Sequence, residues 1–473
     1  MSVIRTNHHV KPSSLAVEPE IWDGRWQALN QNIYRLIACL EARDKQDWEI
    51  TVESTLKCLR AFGKKQFQFF NEGFQSDFLM DSPQYKAEYA LRQTLDQIAF
   101  DLAVLQRIHS QRNSDPCNDV ARETLELADK LAYRALQPAM VAGLIPPTTV
   151  LTYFQKATHV RVIPYAPIAF IGIPYTCTGI FDNEEVYLDT SAGSGCTARD
   201  FLAIAHEAGH YVFWHGKKGK APLRSLLRSH LSAEPAWRMG WLEEVFADVY
   251  GALIAGPVLA LDFQELVYDN PNLDEDDGDH PVGAIRPCIY IDTLDRIQGK
   301  NGKLYPKSPQ ALSDKWEAAT KKRIKISHFR PKKGSMDGTV SLDKAREHLH
   351  EAIELILELL QPVQTAQQDK AWSLDNDDPN TTLYQTFREE ILNELSDTPP
   401  IFQSRPPESD LNDIIANTDD NTIEWTEGKP LVKWFSFFTE APDDLTLLPE
   451  TWSTLLEGGG WAAGGPESDG NPK

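Results

Sequence analysis

Apolar residues recur at intervals of three and four through the first 150 positions, the period of a helix with one buried face. Trp22, Trp26, Leu29, Ile33, Leu36 and Leu40 form one stripe, Val52, Leu56 and Leu59 a second, and Leu91, Leu95, Ile98, Leu102 and Leu105 a third. A fourth covers Val120 to Leu136. Packed antiparallel, these stripes predict a helical domain over residues 1–150, with Phe67, Phe69, Phe70 and Phe74 in its core. Beyond Pro146-Pro147 the pattern shortens into β-rich runs at Val160–Ile163, Ile168–Ile173 and Val186–Leu188. The stretch from Val162 to Phe181 carries no charge over about 20 residues, the length of a membrane span. Pro164, Pro167, Pro174, Gly172 and Gly179 break any helix there, so it reads as extended segments joined by a turn. Helical spacing returns at Phe201–Gly216, Trp241–Gly256 and Ser341–Leu360. The expected class is α+β and predominantly helical, with a small sheet in a domain at 151–335, C-terminal helices at 336–396 and an acidic tail without fixed structure at 397–473.

Phe201–Gly216 reads FLAIAHEAGHYVFWHG and holds His206, Glu207 and His210 in an otherwise apolar run. At about 100° per residue the two histidines share one helix face, with Glu207 on the same arc. Two imidazoles so placed reach one metal ion, and a carboxylate beside a bound water can take its proton; hydrolytic zinc sites use this spacing. Thr197 is the expected N-cap, with Asp200 three residues on. Ala203, Ala205, Ala208 and Gly209 are small enough for a neighbouring backbone to approach closely.

A third ligand is expected on WLEEVFADVYGALIAG, Trp241–Gly256, where Glu244 and Asp248 sit four apart on an apolar helix. Two carboxylates there need partners. Glu244 is the expected ligand, and Asp248 the acceptor for the ring N–H of His206. Glu243 is the rival ligand, but its neighbour four residues on is Ala247.

HExxH followed on a later helix by ExxxD, here Glu244-Val-Phe-Ala-Asp248, resembles the gluzincin group of zincin metallopeptidases, and the Glu-x-x-Ala-Asp form is also that of HtpX-like peptidases. The likeness covers about 60 residues and implies a zincin-like domain, one zinc ion per chain and peptide-bond hydrolysis with Glu207 as general base. It also implies an oxyanion-holding group after the glutamate helix, for which His280 and Arg286 are the candidates. The transmembrane helices of HtpX-like enzymes have no counterpart. A metzincin pattern fails because Phe213 and Gly216 occupy its required positions and His215 falls one place short. A cysteine ligand of the deformylase kind would have to be Cys177 or Cys196, neither in a suitable context. The chain is therefore expected to be a zinc endopeptidase acting on a protein or peptide; the alternative is a catalytically silent zincin-like scaffold or regulatory binding module, which would not need Glu207.

Charge narrows the partners. The net charge is −22, and beyond Ala371 there are 21 acidic against 5 basic residues, a net −16. Nucleic acid is not an expected partner. The tail is instead expected to contact the chain's own basic runs, Lys217–Arg228, read as a loop, and Lys321–Lys333, read as a solvated face. The acidic stretch Asp269–Asp279 reads as a solvated loop, since it lacks the spacing of a calcium site. Six scattered cysteines without CxxC pairs, and an N-terminus without an apolar segment, point to reduced thiols, no membrane and the cytoplasm.

Overall fold

The computed structural model describes residues 19–367, apart from residues 43, 76–78, 80–85, 164, 181–198, 232–234, 271, 300–301, 325–326 and 333–337. The strand expected at Val186–Leu188, Thr197, Cys196 and the acidic tail lie outside the described residues.

The four N-terminal stripes are four helices, α1 (Pro19–Glu41), α2 (Asp47–Gln75), α3 (Ala87–Gln111) and α4 (Asp119–Val141). Every member of the third stripe is buried. The first stripe is broader than its spacing suggests, because Ile37 is buried beside Ile33 and Leu40 while Leu29 and Leu36 are only partly covered. Phe67, Phe69 and Phe70 are core, and Phe74 stacks on Phe70.

A three-stranded sheet follows, β1 (Thr149–Gln155), β2 (His159–Arg161) and β3 (Ile168–Pro174), in the order β1-β3-β2. The central strand β3 runs parallel to β1 and antiparallel to β2. Helices α3 and α4 pack on β1 and the helix over 203–215 packs on β2; among the described residues β1 and β2 are the two edges of this sheet. Two buried ion pairs fasten helices to strands. Arg112 of the α3 C-terminus joins Asp129 of α4 at 2.8 Å, and Asp129 also accepts from the backbone N–H of Thr152 at 2.6 Å. Arg161 of β2 joins Asp101 of α3 at 2.7 Å.

Further α-helices among the described residues are α5 (Ala203–His215), α6 (Leu223–Leu231), α7 (Ala236–Ala255), α8 (Pro257–Asp269), α9 (Pro287–Arg296), α10 (Ser308–Thr320), α11 (Leu342–Leu359) and α12 (Gln361–Gln367). At the α7–α8 junction Gly256 takes φ +66°, a left-handed conformation that turns the chain directly into Pro257 at the start of α8. Ser341 caps α11 by accepting from the N–H of Lys344 at 3.2 Å. The buried apolar side chains form one cluster from Trp22 to Val363, with α11 packed on α7 and α12 on α4. No described helix is long and apolar enough to cross a membrane.

Three expectations are corrected. Lys217–Arg228 is a short hairpin, Lys217–Lys218 with Ala221–Pro222, followed by α6, whose Arg224 is buried with its guanidinium 4.8 Å from the Trp214 ring centre. The acidic stretch is not wholly solvated. Asp276 is buried, and its carboxylate accepts from Trp241 Nε1 at 3.0 Å and from the N–H of Lys332 at 2.7 Å. Within the basic run, Phe329 is core, packed against Trp237 and Trp241.

Candidate metal and catalytic site

Small residues set the distance between the two helices that carry the site. A Cβ on Gly209 of α5 would lie 2.7 Å from the Ala247 Cα of α7, and one on Gly251 of α7 would lie 3.3 Å from the His206 Cα. Side chains at these two crossing points would force the helices apart, and with them His206 and His210 from Glu244 and Asp248. Helix α5 is shorter at its start than expected. Turn bonds from Arg199 to Leu202 lead into it, and Leu202 stands at the N-cap without a side-chain bond.

Among the described residues, His206, His210 and Glu244 are the one group of three or more potential ligands whose donor atoms converge, all within 4.8 Å. The two Nε2 atoms are 3.1 Å apart, Glu244 Oε2 lies 3.5 Å from His206 Nε2, and Glu244 Oε1 lies 3.5 Å from His210 Nε2. Two ligands about 2.05 Å from one tetrahedral ion lie about 3.3 Å apart, so the two imidazoles and the Glu244 carboxylate are spaced as ligands of one such ion are.

Each ring is also held from behind. Nδ1 of His206 lies 3.0 Å from Asp248 Oδ1, though not aligned for a straight hydrogen bond. Nδ1 of His210 lies 3.0 Å from Glu243 Oε1, which also accepts from Trp214 Nε1 at 2.8 Å. A carboxylate on Nδ1 leaves the Nε2 lone pair for an ion. Glu243, weighed from sequence only as a rival ligand, is thus the orienting partner of His210. The signal was Trp214, four residues after His210 on the same face, whose indole N–H needs an acceptor in an apolar setting.

Arg286, a candidate for the oxyanion, binds the acids. Its Nε and Nη2 donate to Asp248 at 2.8 and 3.0 Å, and Nη2 donates to Glu244 at 2.7 Å, while Tyr290 donates to Asp248 at 2.9 Å. Burial would raise both carboxyls, but Arg286 and the imidazoles outweigh it and hold Glu244 well below the usual range and Asp248 also below it. Burial opposes charge on His206 as well, yet Asp248 and Glu244 carry its imidazolium up to about 10. A metal ion bound at these rings would compete with their protons.

His280 is the more open of the two candidates, its side chain 44% exposed. Nδ1 is 2.7 Å from Asp277 Oδ2, and Nε2 is 3.3 Å from Glu244 Oε1. Glu207 is buried, with Oε2 accepting from the backbone N–H of Val160 at 2.7 Å. His206, Glu207, His210, Glu244, His280 and Arg286 meet in a cleft of about 1260 Å³ running from β2 to the Leu259, Phe263 and Leu266 face of α8.

His215 is absent from this group. It is buried and stacked on Tyr211 at 4.1 Å, and burial, with Arg224 and Lys217 nearby, pushes it down to about 3. Below an ordinary histidine pKa of about 6.5 the unfolded chain takes up a proton that the folded chain refuses. His215 therefore contributes stability above that pH and loses it as pH falls toward 3. Denaturant unfolding at stepped pH should show a shallower loss between pH 6.5 and 4 in His215→Phe than in the parent; equal slopes would remove His215 from the acid response. Cys177 is a buried thiol pushed up by burial and stands outside the convergent group. Compared with family models, curated proteins and solved structures, the chain matches none.

Proposed function

We propose that this chain is a zinc-dependent endopeptidase with a zincin-like catalytic domain. The observation that carries the proposal is the convergence of His206 Nε2, His210 Nε2 and a Glu244 oxygen, with a carboxylate behind each ring. A zinc ion held by these three would polarise the scissile carbonyl and acidify a water molecule.

The chain's own residues supply the rest. Glu207 takes the proton of the attacking water and hands it to the leaving amine. His280, held by Asp277, offers its Nε2 proton to the carbonyl oxygen as charge develops. Arg286 keeps Glu244 and Asp248 ionised. The edge strand β2, which lines the cleft with His159 and Val160, pairs with an extended substrate backbone. Cys39, Cys58, Cys117, Cys177 and Cys288 are free thiols, which suits the reducing cytoplasm.

Incubation with an unbiased peptide mixture, analysed by mass spectrometry, tests the activity. Internal cleavage should appear, stop with a chelator and return on adding one equivalent of zinc. Cleavage indifferent to chelation, or none by the zinc-loaded chain, would overturn the proposal.

A further inference from the structure

The backbone N–H of Val160 is one donor with two claimants. In the ladder Val160 stands opposite Ile171, but its N–H goes outward to Glu207 Oε2 at 2.7 Å. That is the side of β2 on which a substrate strand would pair. Val160 and Glu207 both line the cleft, and both are buried.

The strand itself is anchored. Next to Val160, Arg161 is fully buried, with Nε donating to Asp101 at 2.7 Å and Nη2 to Gln97 at 2.8 Å. When a substrate carbonyl takes the Val160 N–H, the carboxylate rather than the strand must give way. Glu207 is a side chain on a rigid helix and moves by changing rotamer.

We infer that the Val160 amide is a latch on the general base, released when an extended substrate backbone pairs with β2. This rests on the hydrolase reading above and deepens it by naming the substrate class. Polypeptide segments long enough to lie along His159–Arg161 free Glu207, whereas small amides that reach only the metal leave it held. Val160 is a positioning residue acting through Glu207, and it acts with its main chain.

Two quenched substrates with the same scissile residues are needed, a single-residue acyl amide and an octapeptide. The parent should turn over the octapeptide with a kcat about tenfold or more higher, the size of one hydrogen bond to a charged acceptor. Val160→Pro deletes the N–H at an edge position where proline breaks no ladder bond. It should raise kcat for the short amide about tenfold while raising KM for the octapeptide. Structural damage alone would lower both rates. Should the proline variant fail to fold, α-hydroxyvaline at position 160 removes the same N–H and keeps the side chain.

A second readout needs no turnover. In the metal-free chain, hydrogen exchange at the Val160 amide should be slow and should accelerate in Glu207→Ala. Equal kcat for the two substrates in the parent, no acceleration of the short amide in either variant, or equal exchange with and without the Glu207 carboxylate would each overturn the latch. A parent that cleaves neither substrate would overturn the hydrolase reading itself.

Discussion

Glu207→Gln should abolish peptide hydrolysis and leave the metal in place. The amide has nearly the shape of the carboxylate and can still accept the Val160 N–H, so the helix and the ligand triangle have no reason to change. It cannot take a proton from water. Removing a general base costs on the order of 10²–10⁴ in rate, and the loss should appear in kcat. Steady-state kinetics on a cleaved peptide, with metal content measured on the same sample, provides the check. Turnover at the parental rate in the glutamine variant would move the base elsewhere in the cleft, with Glu243 and His280 next in line.

Asp101→Ala should destabilise the fold by about 3–5 kcal/mol, the usual cost of leaving a buried charge without its partner. Both side chains of the Arg161–Asp101 pair are fully buried, and Asp101 also accepts from the Tyr165 hydroxyl at 2.9 Å. Loss of the carboxylate takes the buried acid away from the Arg161 guanidinium, while its hydrogen bond to Gln97 at 2.8 Å remains. Because Arg161 sits in β2, the strand proposed to pair with substrate, cleavage of long peptides should weaken too. The paired change Asp101→Leu with Arg161→Met should recover most of the stability, since it removes both charges. Denaturant unfolding measures each step. A loss below about 1 kcal/mol in Asp101→Ala, the scale of an exposed pair, would mean that the bridge is not holding the strand.

What could be read from sequence follows from the range over which each signal acts. The spacing of Leu91, Leu95, Ile98, Leu102 and Leu105 is local, and it marked a buried helix face correctly. His206 and His210 are four apart, and so are Glu244 and Asp248, so helix geometry alone placed each pair on one face. That the faces meet depends on Gly209 and Gly251, whose smallness was visible but whose opposing residues were not. Glu243 and Asp277 were missed as orienting groups because their partners, His210 and His280, are identified only once side chains are placed in space. Asp276 and Phe329 sit in charged stretches that read as solvated. Trp241 draws both inward, the first by an indole hydrogen bond and the second by stacking, and neither contact leaves a periodic trace. Arg286 was singled out as an oxyanion candidate and not as a partner of Asp248 and Glu244, because Asp248 lies 38 residues upstream on another helix.

Metal content per chain, measured on purified parent, His206→Ala, Glu244→Ala and Glu243→Ala, tests the ligand triangle most directly. The parent should carry one zinc ion. His206→Ala and Glu244→Ala should each lose it to the same degree, since each removes one of three protein ligands. Glu243→Ala, which removes only the carboxylate behind His210, should keep the ion with affinity weakened about 10–100-fold. Full occupancy in Glu244→Ala, or complete loss in Glu243→Ala with Glu244 intact, would contradict the site described.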